Sequence, residues 1–128
     1  MTEEVFAVNL LADHKGFTKP RANGDEYMVD AVVDVSTYDA SGVVLEAKHF
    51  GLSTITAVLH TGTSNVKFYP TFVIDGSDAN NYANQGNYTS SKSFTMLIVD
   101  ALQATPAEVG DGGTHSGMQF RLRVFGNL

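Results

Sequence analysis

Residues 26–36 read EYMVDAVVDVS, and the spacing of their apolar side chains decides the fold class. Every second residue from Tyr27 to Val35 is apolar, and four of the six residues that alternate with them from Glu26 to Ser36 are polar. Successive side chains of a β-strand point to opposite sides of its sheet, so this alternation is typical of a half-buried antiparallel strand. The segment therefore predicts a strand with one face in a core and the other toward solvent.

The end of the chain repeats this pattern in residues 118–124, MQFRLRV. Met118, Phe120, Leu122 and Val124 alternate there with Gln and Arg, which predicts a second half-buried strand. Further segments are rich in β-branched and aromatic residues and predict strands at 6–11, 53–61, 66–75 and 93–102.

A short helix is the one predicted departure from strands. Residues 43–50, VVLEAKHF, are compatible with a short helix that ends at Gly51. The complete pattern predicts an all-β protein with at most one short helix. Its expected architecture is a single small antiparallel β-sandwich or jelly-roll-like barrel over residues 1–128, with long polar loops.

The segments between the predicted strands differ in length and character. Residues 61–65, TGTSN, predict a hairpin turn between the strand before them and the strand after them. Pro70 lacks an N–H and predicts that its own strand is a sheet edge or carries a bulge. Residues 76–92 and 104–117 are rich in Gly, Asn, Ser and Thr, and we expect them to be loops that supply contact surface.

The composition excludes several classes of function. The 128 residues hold 8 Lys and Arg against 14 Asp and Glu, a formal net charge of −6, and no Cys. A disulfide framework, a thiolate zinc site and a cysteine nucleophile are therefore impossible. Apolar runs stay well below the ~20 residues of a membrane-spanning helix, and residues 1–4, MTEE, do not resemble a signal peptide. The sequence predicts a soluble acidic domain without a membrane partner.

Candidate catalytic and metal-ligating residues are scattered along the chain. His14, His49, His60 and His115 form no His-x-His or His-x-x-x-His pair. The H-E-x-x-H, G-x-S-x-G, P-loop and G-x-G-x-x-G motifs are absent from the sequence. Residues 75–81, DGSDANN, offer oxygen ligands, but their Gly does not stand where an EF-hand calcium loop needs it. We expect no catalytic residue, no metal and no cofactor.

Positive charge is concentrated in two places. Lys15, Lys19 and Arg21 lie within KGFTKPR, and the last predicted strand carries Arg121 and Arg123 on one face. These residues are candidate contacts for an acidic partner; the alternative is a solvated loop and an ordinary outward strand face. Nucleic acid is disfavoured as a partner, because a net charge of −6 repels phosphate and no alternating aromatic and basic pattern marks a groove.

Two tyrosines lie in a polar segment that has no strand pattern. Tyr82 and Tyr88 are flanked by Asn, Ser and Gly in NNYANQGNYTSS. Such composition is typical of adaptable contact loops, in which rigid rings supply area at low entropic cost. The rings are therefore candidate partner contacts or platforms for sugar rings, and the alternative is that both pack back onto the domain.

Residues 46–59, EAKHFGLSTITAVL, together with YPTF at 69–72 and QFRLRVFG at 119–126, carry a family resemblance. The chain resembles small virion proteins of tailed bacteriophages, in which a short helical turn leads through Phe-Gly-Leu or a similar triplet into a strand. In those proteins a second strand follows after a turn, and an amphipathic strand ending in Phe-Arg-Val or a close variant closes the chain. The matching parts span about the C-terminal two-thirds of the sequence, and the earlier residues are not covered.

The resemblance implies a non-enzymatic structural protein of the virion. The implied role is that of a capsid decoration or cement protein, which binds the outside of the major capsid protein shell after assembly in the host cytoplasm. Such proteins are β-rich and often trimeric, so the implied partners are the major capsid protein and further copies of the chain. Lys15, Lys19, Arg21, Arg121 and Arg123 would then engage an acidic shell surface.

Two other functions remain open at the level of sequence. The first is a carbohydrate- or receptor-binding sandwich module of the virion, in a head fibre or tail component, with Tyr82 and Tyr88 in its binding loop. The second is a small hydrolase built on His60 or His115 with a carboxylate.

Overall fold

The alternating segment at 26–36 lies in the longest strand that the structure describes. The computed structural model describes residues 5–38, 42–74, 92–102, 105, 107–109, 113–114 and 118–128. The described strands, in chain order, are β1 Val5–Leu10, β2 Arg21–Asn23, β3 Glu26–Tyr38, β4 Val43–Glu46, β5 Thr54–Thr63, β6 Phe68–Val73, β7 Ser93–Asp100, β8 Ala107–Glu108, β9 Gly113–Thr114 and β10 Gln119–Asn127.

These strands form two antiparallel sheets. The larger sheet has the order β1-β3-β10-β5, with β2 and β9 also paired to β3. The smaller sheet has the order β4-β7-β6, with β8 beside β7. The all-β prediction is confirmed, and of the two predicted architectures the sandwich fits, because the sheets do not close into a barrel.

The core lies between the two sheets. The alternation in β3 turns Val29, Ala31, Val33 and Val35 inward, and each of them is buried. The inward residues of the other strands complete one contiguous cluster, which includes Leu45, Phe50, Ile55, Phe94, Met96, Ile98, Phe120, Leu122 and Val124. Because burying a large apolar side chain contributes about 1.5–3 kcal/mol, this cluster is the main source of stability.

A buried tyrosine connects the two sheets. Tyr38, at the end of β3, is fully buried, and its hydroxyl oxygen accepts a hydrogen bond from the Ile98 N–H at 3.1 Å. The same hydroxyl donates to the carboxylate of Glu108. Ile98 lies between the part of β7 that pairs with β4 and the part that pairs with β8. The tyrosine hydroxyl therefore completes the hydrogen bonding of the smaller sheet at a gap between two edge strands.

The predicted helix over residues 43–50 is wrong for its first half. Val43–Glu46 is β4, in which Val43 and Leu45 turn into the core, and Ala47–Phe50 forms a single 3₁₀ turn. Burial of alternate apolar side chains outweighs the weak helical preference. Gly51 ends the turn at φ 75°, a left-handed conformation that favours glycine. Within the described residues, no helix combines the length and the hydropathy needed to cross a membrane.

The predicted hairpin at residues 61–65 is also wrong. The strands on either side, β5 and β6, belong to different sheets: β5 pairs with β10 and β6 pairs with β7. The connection therefore carries the chain from one layer to the other. Its start is held by the Thr63 hydroxyl, which donates to the carbonyl oxygens of Asn65 and Phe68 at 3.2 and 3.3 Å.

The remaining predictions about connections have mixed outcomes. Pro70 lies in β6, an edge strand of the smaller sheet, as its missing N–H predicts. The predicted loop at 76–92 lies outside the described residues except for its last residue. The predicted loop at 104–117 contains the two-residue strands β8 and β9, which were not anticipated, and the rest of it is mostly outside the described residues.

Candidate interaction surface

The arginines of the last strand lie on the solvent side of the larger sheet. Alternation along β10 buries Phe120 and Leu122, so Arg121 and Arg123 project from the opposite face. We call this outer face of β3, β10 and β5 the arginine face. β10 pairs with β3 on one side and with β5 on the other, which fixes the backbone that carries both arginines.

A charged cluster occupies one end of the arginine face. The carboxylate of Asp30 accepts hydrogen bonds from Arg123, with Nε 2.9 Å from Oδ1 and Nη2 3.1 Å from Oδ2. Arg21, on β2, donates from Nη2 to Oδ2 at 3.3 Å. Both arginines were candidate partner contacts, and the structure shows that each one pairs with this carboxylate of the same chain.

The cluster shifts the pKa of two of its members. Hydrogen bonds from Arg123 hold the pKa of Asp30 below its usual value, and Arg21 lowers it further, although burial of the carboxylate acts in the opposite direction. In turn, the hydrogen bond to Asp30 raises the pKa of Arg123. The carboxylate of Asp30 is therefore ionised at neutral pH and lies between two guanidinium groups, which leaves the cluster with one net positive charge.

Arg121 differs from its two neighbours. Its side chain is exposed, and among the described residues no carboxylate oxygen lies within 4.0 Å of it. Across the sheet it lies between Val32 of β3 and Gly62 of β5. Neither of these neighbours carries a charge, so the guanidinium is available to a partner.

A shallow hollow surrounds Arg121. It has a volume of about 240 Å³ and is lined by Val32, Gly62, Thr63, Ser64, Gln119 and Arg121. Gln119 donates from Nε2 to the Asp34 carboxylate at 3.2 Å, so one carboxylate lies beside the hollow. A guanidinium beside apolar and hydroxyl groups can bind a carboxylate through two parallel hydrogen bonds. The hollow is therefore suited to an acidic side chain of a partner.

An apolar side chain adjoins the cations on the same face. Leu59 of β5 lies opposite Arg123 of β10 and is 52% exposed. Ala57, also on β5, lies opposite Phe125, which is partly buried. Arginine next to apolar side chains is the composition found at the centres of protein interfaces.

The two lysines among the candidates lie in the connection between β1 and β2. Lys15 and Lys19 are both exposed there. The carboxylate of Asp13 accepts hydrogen bonds from the backbone N–H groups of Lys15 at 2.8 Å and Phe17 at 3.0 Å, and the bond from Phe17 lowers the pKa of Asp13. This turn fixes the backbone that carries Lys15. The side chains of Lys15 and Lys19 both remain in solvent.

The other candidates do not assemble into a site within the described residues. Tyr82, Tyr88 and His115 lie outside those residues. His49 accepts the Glu46 N–H at Nδ1, 3.1 Å away, and His60 Nε2 lies 2.8 Å from the Gly62 carbonyl oxygen. In the described part of the chain no three His, Asp or Glu side chains converge on a position for a metal ion.

A second exposed surface lies on the smaller sheet and was not predicted from the sequence. On the outer face of the smaller sheet, Val44 and Val73 are each 48% exposed and flank Thr95 from the two neighbouring strands. Further along, the exposed Tyr69 lies opposite Val99. A signal for this face was present, because residues 93–100, SFTMLIVD, place apolar side chains at both odd and even positions. That pattern predicts a strand with apolar residues on both faces.

Comparisons of the chain with protein-family models, with curated proteins and with solved structures found no match. The fold and the surface define a class of protein: an antiparallel two-sheet β-protein whose larger sheet presents an exposed arginine beside a shallow hollow.

Proposed function

We propose that this chain is a non-enzymatic structural protein of a phage virion, a capsid decoration or cement protein. In this proposal it binds the outside of the major capsid protein shell as an oligomer and stabilises the shell. The arginine face is the docking surface. The observation that carries the proposal is the exposed Arg121, which stands in its hollow without a carboxylate partner among the described residues.

Electrostatics favour this face as the point of contact with an acidic shell. The chain has a net charge of −6, so an acidic surface repels the molecule as a whole. Charges separated by more than about 8–10 Å are largely screened at physiological ionic strength, so local cations decide which face approaches. Arg121 adds its charge to the net positive cluster of Arg21, Asp30 and Arg123. Arg121 is therefore the position on this face best suited to an acidic group, whereas the carboxylate of Asp34 lies on the same face beside Gln119.

The rigidity of the face supports a structural role. Arg121 stands on β10, which is hydrogen-bonded to neighbouring strands on both sides. Its neighbour Arg123 is held by Asp30. Binding then requires little additional ordering of the backbone, and less of the interaction free energy is lost as entropy. A protein that braces a shell needs contacts of this kind.

The order of elements also agrees with the resemblance. The 3₁₀ turn Ala47–Phe50 leads through Gly51 into β5, and the amphipathic β10 closes the chain. These elements contain residues 46–59 and 119–126, the principal segments that resemble phage virion proteins. Residues 54–59 of the first segment, in β5, and residues 119–126, in β10, form the arginine face together with β3.

The test is cosedimentation of the purified protein with capsids of the phage that encodes it. We expect wild-type protein to bind, and Arg121→Glu to weaken binding at least about tenfold, a change of about 1.4 kcal/mol. The matched control is Lys48→Glu, which alters net charge equally. Lys48 is 76% exposed and pairs with Glu46 beside the 3₁₀ turn, away from the arginine face.

Two results would contradict the proposal. The first is absence of wild-type protein from the capsid pellet at high micromolar concentration. The second is equal loss of binding in Arg121→Glu and Lys48→Glu, because net charge alone would then account for the effect. Circular dichroism of both variants establishes that each is folded before binding is compared.

A further inference from the structure

An Asn-Gly pair lies at the turn between β2 and β3. Asn23 is the last residue of β2 and pairs with Glu26, so Gly24 and Asp25 form a hairpin loop outside the ladder of paired residues. Asn23, Gly24 and Asp25 are exposed in succession. Gly24 has φ 67°, and a methyl group placed on it would meet no atom within 4 Å. The peptide group between Asn23 and Gly24 is therefore accessible and has open space around it.

Asn23 differs from the other asparagines in the residue that follows it. Of the eight asparagines in the sequence, only Asn23 precedes a glycine, which has no side chain to shield its backbone nitrogen and which rotates more freely than other residues. Asn9 is followed by Leu10 within the paired part of β1. The side-chain oxygen of Asn65 accepts a hydrogen bond from the Lys67 N–H at 3.0 Å. Both of these asparagines are held in place, whereas Asn23 adjoins an exposed turn.

We propose that Asn23 is a site of spontaneous deamidation. The backbone nitrogen of Gly24 attacks Cγ of Asn23, a bond forms between these two atoms, and the bond from Cγ to Nδ2 breaks. Nδ2 leaves as ammonia, with the proton that the Gly24 nitrogen gives up. The cyclic succinimide that remains takes up one water and opens at either of its carbonyl carbons, which gives aspartate or isoaspartate. The reaction needs water alone and involves no change of oxidation state.

The modification places a negative charge beside the arginine face. Side chains two residues apart in a strand project to the same side, and Arg21 reaches Asp30 on that side of the larger sheet, so Asn23 projects there as well. The aspartate product lies opposite Glu26, and like charges in this position weaken strand pairing. Deamidation therefore offsets the one net positive charge of the cluster formed by Arg21, Asp30 and Arg123.

The test is peptide mass spectrometry of the folded wild-type protein after incubation in mildly alkaline buffer. It needs the purified chain alone, because the reaction does not depend on capsid binding. Trypsin cuts after Lys and Arg, and Asn23 is the only asparagine in the fragment 22–48. Asn9 and Asn65 are each the only asparagine of their own tryptic fragments and are the matched controls. We expect Asn23 to convert at least about tenfold faster than either control, a difference of about 1.4 kcal/mol in activation free energy.

A variant gives a second measurement. In Asn23→Gln the longer side chain would have to close a larger and less favourable ring, so deamidation at this position should be strongly slowed. Ion-exchange chromatography of fresh and incubated samples should show a new, more acidic species for wild type. The same species should form at least about tenfold more slowly in Asn23→Gln.

Four results would overturn the proposal. The first is conversion of Asn23 no faster than that of Asn9 and Asn65, and the second is an acidic species that forms equally fast in Asn23→Gln. The third is conversion in urea but not in the folded protein, because the hairpin would then hold the Gly24 nitrogen out of reach. The fourth is a product that contains aspartate without isoaspartate, because opening of the cyclic succinimide gives both.

Discussion

Asp30 and Arg123 lie directly opposite one another on β3 and β10 and are joined by two hydrogen bonds, from Nε to Oδ1 at 2.9 Å and from Nη2 to Oδ2 at 3.1 Å. A third bond to the same carboxylate comes from Arg21 of β2. One acidic side chain, itself only 6% exposed, therefore ties three strands together on the outer face of the larger sheet.

Replacing this carboxylate should lower stability. We expect Asp30→Asn to reduce the free energy of unfolding by about 1.5–3 kcal/mol, the range for hydrogen bonds to charged groups, because Arg21 and Arg123 lose their common acceptor charge. Urea denaturation followed by circular dichroism measures the change. Asp34→Asn is the control, because Asp34 lies on the same strand but accepts a single exposed hydrogen bond, from Gln119. This substitution should lower the free energy of unfolding by less than about 1 kcal/mol. Equal losses in both variants would refute this account of the cluster.

The same cluster predicts how stability changes with acid. Because Arg123 and then Arg21 lower the pKa of Asp30 in the folded protein, its stabilisation is complete above the pKa of an unfolded Asp, about 3.9. As the pH falls below that value, Asp30 of the unfolded chain binds a proton before Asp30 of the folded protein does. The stabilisation that Asp30 contributes is therefore lost as the pH approaches the lower pKa of Asp30 in the folded protein. Wild-type unfolding free energy should therefore fall below about pH 4 more steeply than that of Asp30→Asn. Parallel curves for the two proteins in denaturant titrations at each pH would contradict this.

The strands could be predicted from the sequence because their side-chain alternation is local. The segments at 26–36 and 118–124 depend only on which face each residue turns to the core. The hairpin at 61–65 was wrong because the choice of partner for β5 is made by β10, more than fifty residues later in the chain. Local composition holds no information about that choice.

For the candidate site, as for the strands, the sequence predicts which way a side chain projects but not which residue it contacts. Outward projection of Arg121 and Arg123 follows from alternation, and the structure agrees. Their different roles do not follow, since pairing of Arg123 with Asp30 depends on the register between β10 and β3. The sequence therefore makes both arginines candidate partner contacts, whereas in the structure Arg123 is paired with Asp30 of the same chain and Arg121 is exposed.

Tyr38 gives a third prediction, for the connection between the sheets. In Tyr38→Phe the buried ring remains, but the Ile98 N–H loses its acceptor and Glu108 loses a donor. An unsatisfied buried donor costs about 1–3 kcal/mol, so the unfolding midpoint should fall although the volume of the core is unchanged. Hydrogen exchange at the Ile98 amide is the specific measurement: it should become faster than exchange at Met96, whose strand segment pairs with β4. Uniform acceleration along β7 would show that the hydroxyl has no local role.

The last prediction concerns the close approach of β10 to β5 at Gly126. A methyl group placed on Gly126 would overlap the carbonyl oxygen of Thr54, which belongs to backbone and cannot rotate away. Gly126→Ala should therefore destabilise the protein by about 1–3 kcal/mol or more, because the first residues of β5 must move away from β10. Gly62→Ala is the matched control on the same strand pair: the nearest atom to its new methyl would be Arg121 Cβ at 3.7 Å, an ordinary contact. Denaturant midpoints for the two variants should separate clearly, and a Gly126→Ala protein as stable as Gly62→Ala would show that β10 and β5 are not packed this closely.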